Sequence, residues 1–374
     1  MTSNDLDRYE SVLAPAVEST LELLHTLERV QRYLDPSRLG DLRKLTDERL
    51  ERVRPAASAL VAASPPDRLQ GFHDNWVEGI RLAEQSASAF LEAGAAEQPI
   101  LAVLASMKKF ARAVEQLYTI HEFPPLSRYF VEPAFYSRLS ELDPPRAPDA
   151  SVGLHHTGGT EGAGARGQLC LYVPESYDGT AEWPLVVALH GGSGSGRQFL
   201  WAWLREARGR RFLLLAPTAG GPTWSLIGPD EDGAALRAMV EWVCGRWRVK
   251  RSSILLTGLS DGATYALLTG LGAESPYTAL APVSGVLHPG NFTNGNIERA
   301  RGRRIYLVHG ARDWMFPVET ARWASERLRG AGADVVYREI EDLSHAYPRE
   351  ENDRILEWLD PTLALPRAAA KGPS

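Results

Sequence analysis

The chain has 374 residues, a formal net charge of -6, 44% hydrophobic and 24% charged residues. That length favours two domains of ordinary size, and the balance is that of a soluble globular protein, which excludes fibrous and disordered classes. The mild acidity gives no electrostatic reason for nucleic acid or an anionic membrane as the main partner.

The averages conceal a change near residue 150. Of 33 glycines, only Gly40, Gly71, Gly79 and Gly94 precede it, and of 10 tryptophans only Trp76 does. A glycine-poor stretch has few sharp turns, which suits helices. Tyr9, Val12, Leu13, Val17, Leu21, Leu24, Leu27, Val30 and Leu34 recur at spacings of three and four, lining one face of a first helix that stops at Asp35-Pro36. Pro15 marks its first turn or a kink. A second helix is predicted from Asp41 to Ala63, strained near Pro55, and a third carries Leu69, Phe72, Trp76, Ile80, Ala83, Ala87 and Phe90. The fourth carries Ile100, Leu104, Met107, Ala111, Val114 and Tyr118 and ends before Pro124-Pro125. Four amphipathic helices with short connections predict an antiparallel bundle over residues 1–142. His25, His73 and His121 are scattered singly within it, as packing or surface histidines. The aromatic run Tyr129 to Tyr136 is read either as a lid on an active-site mouth or as an anchor for the bundle.

Proline in 143–148 and glycine in 158–164 mark residues 143–166 as a linker. Beyond it, short apolar runs alternate with helical stretches. Strands are predicted at Gln168–Val173, Leu185–Leu189, Phe212–Ala216, Ile254–Thr257, Ala279–Val283, Ile305–Val308 and Val335–Ile340. Helices are predicted at Glu231–Trp247, Ala263–Leu271, Val318–Arg329 and Glu350–Leu359. This alternation implies a doubly wound α/β domain over 167–363 with a mostly parallel sheet, followed by a tail over 364–374. In such a domain, sites form at the carboxyl ends of strands.

One junction stands out. Gly258-Leu259-Ser260-Asp261-Gly262 falls between a predicted strand and a predicted helix, the context G-x-S-x-G requires. The glycines remove β-carbons where backbone segments crowd, and the turn lifts Ser260 over the sheet. A serine hydroxyl needs a base, and that base needs an acid to orient it. His345 follows the last strand and is the favoured base, ahead of His288. His309 abuts a strand end, where packing is expected. Asp313, just past the Ile305–Val308 strand, is the favoured acid over Asp342, which shares the His345 loop. Backbone donors for an oxyanion are expected at Asp261, next to the nucleophile, and at Gly192 in His190-Gly191-Gly192-Ser193-Gly194-Ser195-Gly196. That loop lacks the Walker lysine and a full GxGxxG, so a phosphate cradle is disfavoured. Trp224, Trp314 and Phe316, on loops after strands, are read either as pocket walls or as ordinary packing.

These residues together resemble the α/β-hydrolase superfamily, and within it the phospholipase/carboxylesterase group near feruloyl-esterase and polyhydroxybutyrate-depolymerase types. The resemblance spans Gly167 to Leu359 and rests on Leu171-Tyr172-Val173-Pro174, Leu189-His190-Gly191-Gly192, the Ser260 turn, His309-Gly310-Ala311-Arg312-Asp313 and Ser344-His345. It implies Ser260 as nucleophile, Asp313 as acid, His345 as base, and Gly192 with Asp261 as oxyanion donors. The helical part has no counterpart in that resemblance. The expected activity is hydrolysis of a small-molecule carboxylic ester through an acyl-enzyme, with no metal or organic cofactor. The alternatives are an amidase or peptidase using the same triad, and a non-catalytic interaction protein. The helical part is the candidate surface for homo-oligomerisation.

Cys170 and Cys244 form neither a disulfide framework nor a metal spacing. The first residues lack the basic-then-apolar layout of a signal peptide, and no apolar run approaches a membrane span of roughly 18 residues. A cytoplasmic location is expected.

Overall fold

The computed structural model describes residues 3–93, 99–145, 151–156 and 166–366. The chain divides into two compact units, 1–130 and 131–374. Residues 157–165, which hold most of the glycine-rich run, fall outside the description, as do 94–98, 146–150 and most of the expected tail.

The first unit is helical. Helices α1 (Ser3–Arg32), α2 (Leu39–Val61), α3 (Gln70–Ala93) and α4 (Pro99–Tyr118) follow one another, with α1 packing on α2 and α3 on α4. A shorter α5 (Pro124–Tyr129) begins with proline in its first turn, where the missing N–H costs nothing. Leu23, Leu24, Leu27, Leu50, Leu60, Trp76 and Phe90 are fully buried. The apolar stripe of α4 is turned slightly from the expected one. Leu104 is 39% exposed, and Val103, Phe110, Val114 and Leu117 are buried in a row spaced seven, four and three. Helices α1 and α2 continue through Pro15 and Pro55. His73 is a core residue whose Nδ1 lies 3.2 Å from the Tyr9 hydroxyl, and the His121 ring stacks on Tyr118.

The second unit is built on one eight-stranded sheet. Its strands are β1 (Gly153–His156), β2 (Leu169–Val173), β3 (Trp183–Leu189), β4 (Leu213–Pro217), β5 (Val249–Leu259), β6 (Ala279–Val283), β7 (Arg304–Gly310) and β8 (Asp334–Ile340). They lie in the order β1-β2-β4-β3-β5-β6-β7-β8. β1 and β2 are antiparallel to their neighbours, and all pairs from β4 to β8 are parallel. Strands β2, β3, β4 and β6 are buried at every residue, as expected of a sheet covered on both faces. The covering helices are α6 (Leu204–Arg210), α7 (Asp232–Cys244), α8 (Asp261–Gly270), α9 (Val318–Gly330) and α10 (Asn352–Leu359). The sequence reading missed β1 and α6. β1 is a four-residue edge strand of half-buried residues, and α6 carries four arginine or glutamate side chains in seven residues, so neither shows an apolar period.

The aromatic run 129–136 divides between the units. The Tyr129 hydroxyl donates to Glu28 at 2.8 Å and Phe130 packs edge-on against Tyr118, both within the first unit. Phe135 is buried against Gly209 within the second. Among the described residues, no helix is long and apolar enough to cross a membrane.

Candidate active site

Strand β5 ends at Leu259 and α8 begins at Asp261, so Ser260 alone makes the turn. Its φ of 57° and ψ of -118° lie outside the regions an L-residue prefers, a local strain held by its surroundings. The Ser260 amide donates to Val283 O at 3.0 Å and its carbonyl accepts from the Thr264 amide at 2.9 Å. Crowding explains the glycines. A Cβ on Gly262 would lie 2.5 Å from the carbonyl oxygens of Leu189 and His190, and one on Gly258 would lie 2.6 Å from Gly262.

The loops after β7 and β8 bring in two more side chains. They are pinned together by the Ala311 amide on Ile340 O at 2.9 Å and the Arg312 amide on Leu343 O at 3.0 Å. His345 Nε2 lies 2.9 Å from Ser260 Oγ, and His345 Nδ1 lies 2.9 Å from Asp313 Oδ2. Asp313 Oδ1 accepts from the amides of Met315 at 3.0 Å and Phe316 at 2.8 Å. Burial works to raise the Asp313 carboxyl, but the His345 hydrogen bond and charge with the Phe316 amide outweigh it, holding it below the ordinary range. The carboxylate therefore fixes the imidazole tautomer with Nδ1–H inward and leaves Nε2 to accept from the serine.

The two rival histidines have other partners, one of them beside Asp313. His309 is fully buried, with Nε2 2.9 Å from Phe316 O and 3.4 Å from Asp313 Oδ2, and burial lowers its basicity. His288 Nδ1 accepts from the Gly290 amide at 3.1 Å. Asp342 is exposed on its loop.

Two backbone segments meet at the same turn. The Asp261 N–H opens α8, where helix geometry supplies it no intrahelical acceptor. Across from it runs the loop after β3. Its Ser193 amide is committed to Pro222 O at 3.0 Å and its Gly194 amide to Gly191 O at 3.0 Å. Neither Gly191 nor Gly192 donates its amide to another backbone group among the described residues. A Cβ on Gly191 would lie 3.6 Å from Ser260 Cβ, which measures how closely this loop approaches the Ser260 turn.

Of the three expected wall residues, two border the imidazole. Phe316 and Trp314 present their rings edge-on to His345 at 5.4 and 6.2 Å between centroids, and Trp314 is 42% exposed. Trp224 is a correction. It is 2% exposed, stacks on Tyr265 at 5.5 Å, and donates its indole N–H to His190 O at 2.8 Å, so its ring belongs to the core. Its loop position after β4 is right, but the loop folds inward there.

Two polar residues were given no role of their own in the sequence reading. Thr223 Oγ1 donates to Asp261 Oδ2 at 2.6 Å, and His190 bridges Gly191 O at 2.7 Å and the Ala219 amide at 3.1 Å. The only sequence signal for His190 is a lone histidine closing an apolar strand before two glycines; Thr223 carries none.

A parallel sheet with a serine on the turn after β5, an acid after β7 and a histidine after β8 is the α/β-hydrolase fold. Residues 235–363 match the Phospholipase/Carboxylesterase family. Over 171 residues, 44% of this chain, the sequence is 26% identical to a probable feruloyl esterase C of Aspergillus terreus. The chain spans about 60% of the length of that curated relative. Similar solved structures include a thermostable esterase, at 22% identity and TM-score 0.44 over 55% of this chain and 61% of that one. Another is the acetyl xylan esterase from Aspergillus awamori, at 16% identity and TM-score 0.44 over 55% and 98% of the two chains.

Proposed function

We propose that this chain is a serine hydrolase that cleaves a small-molecule carboxylic ester through an acyl-enzyme on Ser260. The observation that carries the reading is the unbroken hydrogen-bond chain from Asp313 through His345 to a serine held on a strained turn. His345 Nε2 takes the Ser260 proton as Oγ attacks the ester carbonyl, and Asp313 stabilises the imidazolium that forms. The carbonyl oxygen gains its charge against the Gly192 and Asp261 N–H groups, beside the positive end of α8. The imidazolium then gives its proton to the departing alkoxide. Water, deprotonated in turn by His345, releases the acid and restores Ser260. No step calls for a metal or organic cofactor. Trp314 and Phe316, on the imidazole side, line the path of the alcohol portion. The family match and the feruloyl esterase relative support an ester over other acyl substrates.

The test is Ser260→Ala assayed on p-nitrophenyl butyrate, beside labelling of the wild type by a fluorophosphonate. We expect a loss of several orders of magnitude in kcat and a label on Ser260. Retained activity in the variant, or no label, overturns the reading. A matched ester and anilide pair separates esterase from amidase, and the ester is expected to react far faster.

A further inference from the structure

The residue after the nucleophile contributes a side chain as well as an amide. Asp261 Oδ2 accepts the Thr223 hydroxyl at 2.6 Å. A Cβ built on Gly192 would lie 2.7 Å from the same oxygen, so the carboxylate fills the space that a side chain on that loop would need. Asp261 is half-buried, and no basic side chain forms an ion pair with it among the described residues. A partly desolvated carboxylate with a single hydroxyl donor has acceptor capacity to spare and attracts a further donor.

Its place in the sheet gives it a side. Thr223 and Gly192 follow β4 and β3, which lie on one flank of β5, whereas Asp313 and His345 follow β7 and β8 on the other. The imidazole must reach the leaving oxygen, so the alcohol portion departs on the β7–β8 flank. With the carbonyl oxygen held against the Gly192 and Asp261 amides, the acyl substituent, not the alcohol portion, is the part of the substrate that shares the Asp261 flank.

We infer that Asp261, held by Thr223 over Gly192, selects the acyl portion of the substrate: acids bearing a hydroxyl or ammonium donor near the carbonyl are favoured, and acids carrying a second negative charge are rejected. This rests on Ser260 being the nucleophile of an esterase. A fixed negative charge beside the acyl site repels an acyl anion and is screened by salt. It leaves an uncharged acyl chain untouched by that term.

The experiment uses the full chain and p-nitrophenyl esters of butyrate, hemisuccinate, monomethyl succinate, 3-hydroxybutyrate and 3-aminobutyrate, with kcat/KM measured for each. The wild type is expected to prefer monomethyl succinate over hemisuccinate at least tenfold, with the preference shrinking as salt rises. Equal rates overturn the inference without any variant. In Asp261→Asn the hemisuccinate-to-butyrate ratio is expected to rise at least tenfold over wild type, while the 3-amino ratio falls. A fall confined to the amino ester assigns ammonium as the preferred donor; a fall in both assigns donors in general. A hemisuccinate ratio within threefold of wild type overturns the inference. Labelling of Ser260 by a neutral fluorophosphonate separates this failure from that of the esterase reading, which fails where the wild type takes no label or Ser260→Ala keeps its activity.

Discussion

His190 shows how one buried side chain ties the site to stability. Burial is the main force on its imidazole and pushes it down to about 4. The ring is neutral in the fold, donating Nδ1–H to Gly191 O and accepting the Ala219 N–H at Nε2. A second proton would displace the Ala219 bond. The unfolded chain, with an ordinary histidine near 6.5, takes up that proton first as pH falls. Stability is therefore full above about 6.5 and declines as pH falls toward 4. Between pH 7 and 5 this linkage costs about 2 kcal/mol. In His190→Gln the term is absent, so the variant's stability deficit relative to wild type is expected to narrow by about 2 kcal/mol over that interval. Urea unfolding at the two pH values measures it, and a deficit that stays constant refutes the assignment. The sequence placed His190 in the right loop, but its partner Ala219 lies on the next strand's loop, which no local pattern reveals. Thr223 is hidden for the same reason: a short polar side chain acquires its meaning from the residue across the turn.

At the scale of elements, the strand-turn-helix around Ser260 was legible because its constraint is local. Two glycines flank the serine, and the structure gives each a backbone neighbour too close for a β-carbon. Gly40 is the contrast. It sits in the first turn of α2 with nothing within 4 Å of where its Cβ would be. Gly262→Ala is expected to destabilise by on the order of 3 kcal/mol, because the added methyl must push apart β3 and the Ser260 turn. Gly40→Ala is expected to stabilise by about 0.5 kcal/mol through the entropy of the unfolded chain. Thermal unfolding of both variants tests the pair; similar effects of one sign would contradict the crowding argument. Elsewhere the apolar strands were legible as runs. Trp224 was misplaced because position after a strand predicts a loop and says nothing about which way that loop turns. The α4 stripe was off by one residue at Leu104 because an all-apolar stretch fits two neighbouring faces.

For the whole molecule, the composition break near residue 150 reflects two ways of making a core. The first unit closes its core with helix faces meeting at Leu24, Leu50, Trp76 and Phe90. The second closes it with a sheet covered by helices, joining Leu171, Leu185, Val187, Leu189 and Ile305 in one cluster. Ser260, His345, Asp313, Gly192, Asp261, Thr223 and His190, with every hydrogen-bond partner given for them above, belong to the second. Each unit exceeds the length at which a single core sustains a fold. Residues 131–374 expressed without the first unit are therefore expected to unfold in one cooperative transition and to take up a fluorophosphonate on Ser260. Circular dichroism on heating and mass spectrometry of the labelled peptide supply the two readouts. A fragment that shows no cooperative transition would mean that the second core is incomplete by itself. A folded fragment that takes no label would place part of the reacting centre outside residues 131–374, against the hydrogen-bond chain that runs from Asp313 to Ser260 within them.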